Sequence, residues 1–237
     1  MSETTNELII TSLLLQNCHF SESQEQIGKF INRSMLLDPE LKQLHGEERI
    51  FKGYVFSNFY PIEKDGYYKS GKVYVWRLRA VSESLLKKFR ITVKKTTSAF
   101  IKTLATEIKI APYRHISELY TINPAILTLE DNQPFLPTCD LLQLSHAIQT
   151  NLEKKCRYFT HNPGHVVQPL VRRIQMINRK PVKTRYKHMS MLGNKMKLFV
   201  SEDEFSQKLA QMALNTGLLE KNAILGSGFV VANFTGR

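Results

Sequence analysis

Hydrophobic periodicity along this chain switches between strand and helix spacing in one fixed order, and the order is written twice. Glu7 to Gln16 is an apolar, β-rich segment. Ile27, Phe30, Ile31 and Met35 then fall at helical spacing behind Ser21-Glu22-Ser23-Gln24, which has the S-x-x-Q form of a capping box. Arg49 to Phe59 and Lys72 to Val81 alternate apolar and polar residues, as half-buried strands do, with turn chemistry at Lys64-Asp65-Gly66 between them. Leu85, Leu86 and Phe89 give Ser82 to Phe89 one buried helical face, and Phe100 to Ile110 returns to strand character. Strand, helix, strand, strand, helix, strand is the ferredoxin-like split unit.

The second half repeats the order. Leu119 to Leu129 reads as extended, and Asn123-Pro124 forbids helix there. Leu141, Leu144, Ile148 and Leu152 line one face of a helix over Asp140 to Tyr158. Pro169 to Met176 and Lys195 to Val200 are strand-like. Ser201-Glu202-Asp203-Glu204 forms a capping box ahead of Phe205, Leu209, Met212 and Ala213. Gly217, Gly226 and Gly228 then make a turn, and Phe229 to Phe234 closes the pattern. The expected fold is α+β: two tandem ferredoxin-like (RRM-like) domains, residues 1–114 and 115–237, with a C-terminal glycine-rich loop. The boundary is expected near Pro112 to Ile116.

Composition narrows the function classes. At 237 residues, with 42% hydrophobic residues and 13 Phe, the chain can bury a real core, which excludes wholesale disorder. No apolar run approaches the roughly 20 residues that span a bilayer, and Met1 to Asn6 lacks a basic leader, so no membrane partner is expected. Cys18, Cys139 and Cys156 are widely spaced and odd in number, without a CxxC pair; disulfides and zinc are poorly supported, and a reducing cytoplasm is the natural compartment. His161 and His165 have ligand-like spacing but no second pair beside them, so neither metal nor cofactor is expected.

Charge changes the picture most. Lys154 to Ser201 carries 12 Lys or Arg and no Asp or Glu; elsewhere the two signs cancel, so the formal net charge of +12 resides in this stretch. Such a run has no acid of its own to pair with and suits an outside polyanion, nucleic acid above all. Arg172, Arg173, Arg179, Lys180, Lys183, Arg185 and Lys187 are the phosphate-contact candidates. Tyr158, Phe159 and Tyr186 flank them as candidates for stacking on unpaired bases. Gly217, Gly226 and Gly228, beside the basic run, would let an RNA backbone approach the protein backbone closely. The bland alternative is that the glycines only form turns and the cations only meet solvent. No RNP string such as K/R-G-F/Y-G/A-F-V-x-F/Y stands on the expected strands, which ranks an unrelated RRM-type protein last.

Three places carry a family resemblance. Leu44-His45-Gly46-Glu47 is followed by Phe51-Lys52-Gly53-Tyr54-Val55-Phe56-Ser57. Asn123-Pro124-Ala125-Ile126-Leu127 opens the second half, and the Gly217 to Gly228 turn ends it. Together they resemble the CRISPR-associated repeat-RNA-processing endoribonucleases, of the repeat-associated RNA-binding superfamily. The likeness runs over nearly the whole chain. It departs at Leu219, where the family has a second glycine, and at Ser227, where an apolar residue is usual. Phe30 stands fifteen positions before the histidine, where several members place a catalytic Tyr. A phenyl ring exchanges no proton, so only His45 and Lys52 carry over as catalytic residues.

The resemblance implies cleavage of CRISPR repeat RNA (precursor crRNA) without metal, by attack of a ribose 2′-hydroxyl on the adjacent phosphorus. Imidazole is suited to moving a proton near neutrality, and a cation offsets charge growing on the non-bridging oxygens. His45, just after the first helix, would carry the proton. Lys52 would supply the cation, with Arg49 able to replace it. His19, His115, His146, His161 and His165 read as structural or surface residues, and His188 as a weaker candidate for RNA contact. A second reading is a catalytically silent repeat-RNA-binding subunit, with other CRISPR effector-complex subunits as partners.

Overall fold

The computed structural model describes residues 4–130, 132–161 and 168–235. Its first half runs β1 (Thr4–Leu14), β2 (Cys18–His19), α1 (Phe20–Met35), α2 (Pro39–Gly46), β3 (Tyr54–Phe56), β4 (Tyr67–Tyr68), β5 (Val73–Ala80), α3 (Glu83–Lys95) and β6 (Ile101–Pro112). Four of these strands form an antiparallel sheet in the order β3-β5-β1-β6. Strict alternation on β1 turns Leu8, Ile10 and Leu14 inward, where they meet Ile27, Phe30 and Ile31 of α1 and Leu86 and Phe89 of α3. The second half runs β7 (Ile116–Thr121), α4 (Leu141–Thr160), β8 (Val171–Met176), β9 (Val182–Tyr186), β10 (Met189–Gly193), β11 (Met196–Val200), α5 (Glu204–Thr216), α6 (Asn222–Leu225) and β12 (Val230–Phe234). Its sheet has the order β12-β7-β11-β8, and α4 and α5 cover one face around Leu144, Leu152, Leu198 and Met212. Both halves are ferredoxin-like, as the doubled pattern indicates.

Local chemistry explains the differences from expectation. α1 is capped by His19, whose Nδ1 accepts from the Ser21 amide at 3.3 Å, and not by a Ser21 box. α5 is capped by Asp203, which accepts from the Ser206 amide at 3.0 Å, whereas Ser201 is buried and donates to Pro169 O. A carboxylate at the N-cap satisfies orphan amides that the helix cannot, so Asp203 displaces its neighbour. β7 stops at Thr121, and the stretch read as extended through Leu129 is irregular, paired only by isolated bridges from Ala125, Ile126 and Thr128.

The antiparallel hairpin β9–β10, between the second and third strands of the second sheet, has no counterpart in the repeat pattern. It leaves its own sheet and packs on α1. The Thr184 hydroxyl donates to Gln24 Oε1 at 3.2 Å, and the Lys187 amide donates to Glu25 Oε1 at 3.0 Å. Among the described residues no helix is long and apolar enough to cross a membrane.

Candidate functional site

A cleft of about 760 Å³ opens where the two halves meet. One wall comes from the first half. Asp38 caps α2, accepting from the Glu40 and Leu41 amides at 3.0 Å each, and Pro39 opens the helix with φ already set. His45 lies exposed in the last turn of α2, so a separate short helix presents it, rather than the loop expected after α1. Lys52, just before β3, reaches back to that helix end. Its ammonium donates to His45 O at 3.2 Å and also to the carbonyls of Leu44 and Glu47. A cation at a helix C-terminus satisfies the last carbonyls and the macrodipole together. Partial burial lowers the Lys52 pKa, against the opposing pull of Glu47 and Glu48. His45 and Lys52 are therefore neighbours, but the amine is bound to backbone rather than projecting as a free charge. Arg49, exposed on the same wall and left-handed at φ 57°, is a cation that lines the cleft without such ties. Phe30 is 2% exposed and packs edge-on against Trp76, in the core and away from the cleft.

The opposite wall belongs to the second half: Asn151, Lys155 and Phe159 from α4, Tyr186 from the hairpin, and the turn after α5. Lys155 is 2% exposed and donates to Gly217 O at 2.7 Å, Asn222 Oδ1 at 2.8 Å and Leu219 O at 3.4 Å. An ammonium has three donors, and here each has an acceptor. Burial lowers its pKa from 10.5 to about 7. Between those two values the unfolded chain binds more protons than the folded one, so Lys155 makes stability rise with pH through that window. Lys155→Met should lose this slope. Denaturant melts from pH 6 to 10 are expected to show the wild type gaining a few kcal/mol on the variant as pH rises. A pH-independent difference would contradict the assignment. Lys155 could have been found in the sequence as the cation that follows Ile148 and Leu152 on the buried face of α4.

The glycine turn departs from expectation. Gly217, Gly226 and Gly228 have φ of 79°, 61° and 67° and are buried. A Cβ on Gly226 would stand 2.1 Å from Phe56 O, and one on Gly228 2.2 Å from Leu218 O. The close approach these residues permit is to the protein itself: Gly226 meets Phe56 and Gly217 meets Val55 of the first half, while Gly228 meets Leu218 of its own half. Leu219, in the family's glycine position, is also left-handed at φ 56°, its side chain held in the second core. Ser227 departs for a visible reason: its hydroxyl donates to Pro124 O at 3.0 Å and accepts from the Ile126 amide at 3.0 Å. Asn123 joins three segments, donating to Phe56 O at 3.0 Å and Gly226 O at 2.8 Å and accepting from the Asn58 amide at 3.1 Å.

Arg172 and Arg173 lie on β8, Lys183 and Arg185 on β9, Lys187 at the hairpin tip, and Arg179 and Lys180 between the strands; all seven are exposed. The run is acid-free only along the chain. Arg185 pairs with Glu22 of α1, Arg172 with Glu202 at 3.5 Å and Lys197 with Glu118 at 2.6 Å. Among the described residues Arg173, Arg179, Lys180, Lys183 and Lys187 have no carboxylate partner. None of the seven lines the cleft of His45. Lys183 instead lines a separate, smaller groove of about 320 Å³ with Arg77, Lys195 and Tyr60. Tyr158, 44% exposed, stacks edge-on against Phe51 with centroids 5.7 Å apart, and Phe159 packs beside both.

His19 is a helix cap and His115 Nδ1 is hydrogen-bonded to Thr235. His146 lies on α4, His161 ends that helix and His188 is exposed at the hairpin tip; His165 falls outside the described residues. Cys18, Cys139 and Cys156 are free thiols. Among the described residues no three His, Cys, Asp or Glu side chains are grouped to hold a metal ion.

No family model and no curated protein matches the sequence. Solved structures match it over almost its full length. One described as a CRISPR-associated protein Cas6 is 16% identical, with a TM-score of 0.72 over 97% of this chain and 99% of its own. One described as a RAMP protein binding different RNA substrates is 15% identical, with a TM-score of 0.74 over 96% and 99%. The product of a Cas6-related gene from Pyrococcus furiosus is 16% identical, with a TM-score of 0.71 over 98% and 100%. At such identities the likeness is one of fold: the tandem ferredoxin-like architecture of these structures is the architecture of this chain.

Proposed function

We propose that the chain is an endoribonuclease that cuts CRISPR repeat RNA within the repeat to release guide units. The observation that carries this reading is His45, exposed at the end of α2 on the rim of a cleft built by both halves. Support also comes from the fold shared with structures described as a CRISPR-associated protein Cas6 and a RAMP protein binding different RNA substrates. In this mechanism the 2′-hydroxyl of one ribose attacks the adjacent phosphorus. The 5′-oxygen of the next nucleotide leaves, and the products carry a 2′,3′-cyclic phosphate and a 5′-hydroxyl. The nucleophile comes from the RNA, so the protein supplies a proton carrier, a cation and alignment.

His45 carries the proton. Lys52 holds the carbonyls of residues 44, 45 and 47 and so fixes the backbone from which the imidazole projects. Arg49 is the group we assign to the growing phosphate charge, since it lines the cleft without those ties. The exposed cations of β8 and the hairpin hold the rest of the strand by its phosphates. The compartment we assign is the cytoplasm, in keeping with three unpaired cysteines.

The test is incubation of the purified protein with repeat RNA in EDTA, alongside the same RNA carrying a deoxyribose at the scissile position. Cleavage is expected to persist in chelator, to leave a cyclic phosphate and to vanish on the deoxy substrate. A magnesium requirement would overturn the mechanism. The second reading, a silent RNA-binding subunit of an effector complex, is favoured by the core position of Phe30; it would show as tight binding of both RNAs with cleavage of neither.

A further inference from the structure

The face of the second sheet opposite α4 and α5 carries an organised cluster that the cleft does not use. Cross-strand register puts Tyr120 of β7 opposite Lys197 of β11, and Phe199 of β11 opposite both Glu118 of β7 and Arg173 of β8. Residues directly opposite share a face. Tyr120, Glu118, Lys197, Phe199 and Arg173 therefore stand together on one side, while Leu119, Leu198 and Val200 point into the core on the other. No member of the cluster is buried. Lys197 lies 4.5 Å from the Phe199 ring centre and 5.1 Å from that of Tyr120, and the Arg173 guanidinium lies 5.3 Å from Phe199.

Glu118 orders the group. It accepts from Lys197 at 2.6 Å, from the Tyr120 hydroxyl at 2.5 Å and from Asn233 at 2.8 Å, which also donates to the Tyr120 hydroxyl at 3.2 Å. The only carboxylate of the cluster is thereby neutralised and the Tyr120 ring is held in place. Arg173 remains as an exposed cation without a carboxylate partner among the described residues. Aromatic rings on the first and third strands of a ferredoxin-like sheet, interleaved with cations and uncovered by helices, have the composition of a surface that stacks unpaired bases and neutralises their phosphates.

We propose that Tyr120 and Phe199, flanked by Lys197 and Arg173, form a second RNA site that takes two neighbouring unpaired bases of the bound strand. The charge of the face and its aromatic pair select single-stranded RNA as the occupant. A scan for a contiguous RNP string misses it because each strand contributes one ring. The proposal rests on the preceding one only in taking RNA as the ligand, so it is tested on RNA that cannot be cut.

The experiment measures the affinity of single-stranded repeat RNA, deoxy-substituted at the scissile ribose and bearing 2-aminopurine at successive positions. Wild type is compared with Phe199→Leu, Tyr120→Leu and Phe199→Trp, with thermal melting as the check on folding. Each Leu variant is expected to bind about tenfold more weakly, since one stacked base is lost. Quenching of 2-aminopurine at one or two positions should disappear with it, and Phe199→Trp should restore both. Wild-type affinity in both Leu variants would overturn the site even if the protein cleaves RNA; that result would leave the face to a protein partner. Equal loss in the Trp variant would also overturn it, since Phe199 would then serve packing alone. A requirement for Phe199 in a protein that never cleaves would sustain the platform while the nuclease reading fell.

Discussion

His45→Ala is expected to slow cleavage of repeat RNA by roughly 10²–10⁴-fold while affinity for uncleavable RNA stays within about twofold. The two readouts separate because of where the residue sits. His45 is exposed in the last turn of α2 and no basic residue of β8 or the hairpin lines its cleft, so its removal should take away the proposed proton carrier and little binding surface. Substitution at an exposed helix end costs about 0.5 kcal/mol or less, so loss of activity could not be charged to unfolding. Single-turnover rates with excess protein, beside a titration with deoxy-substituted RNA, measure both quantities. Parallel loss of rate and affinity would mark the histidine as a structural element of the cleft wall and remove the mechanism built on it.

Gly226→Ala should be the most damaging glycine-to-alanine change among the described residues. The position combines φ of 61° with a would-be Cβ 2.1 Å from a backbone oxygen, Phe56 O, that already accepts from Asn123. The left-handed conformation costs an alanine about 1–2 kcal/mol, and forcing apart packed backbone adds about 1–3 kcal/mol more. For a chain of this size that is a fall in Tm of roughly 5–15 °C. Gly71→Ala is the matched control, because Gly71 has φ of 78° but nothing within 4 Å of its Cβ position. It should show the conformational part alone. If Gly226→Ala melts no lower than Gly71→Ala, the seam yields more easily than its geometry indicates. If it melts lower, cleavage should fall too, since residues 216 and 219–224 beside the glycine wall the cleft.

Much of the architecture was legible in the sequence because each half buries one helical face and one strand face, and those periods survive in the pattern of apolar residues. The hairpin was not legible. Its Val182 to Tyr186 strand alternates charged with uncharged residues, which signals phosphate contact as readily as pairing, and its docking on α1 depends on Gln24 and Glu25, some 160 positions away. The glycines were recognised as places of close approach, but a sequence does not say to what. Only the fold reveals that Gly226 approaches Phe56. Lys52 presents the same limit. Its proximity to His45 follows from the spacing, while its engagement by three carbonyls depends on α2 being a separate helix whose exposed end needs a donor. Lys155 had a signal, a charge on an apolar stripe, that a composition-led reading of the basic run absorbs as one more surface cation.

Several polar side chains that join the halves are buried and paired. Asn123, Gln24 and Asn215 each reach backbone or side-chain groups across the junction, and Asn215 alone meets Asn6 and Thr4 of the first strand. Swinging one lobe against the other would strand those groups without partners in a dry interior. The junction is therefore stiff, and on the proposed function it is the RNA that would have to change shape to enter. Under that proposal, strands free to bend, or duplexes willing to open, would be favoured over rigid helices before any base is read.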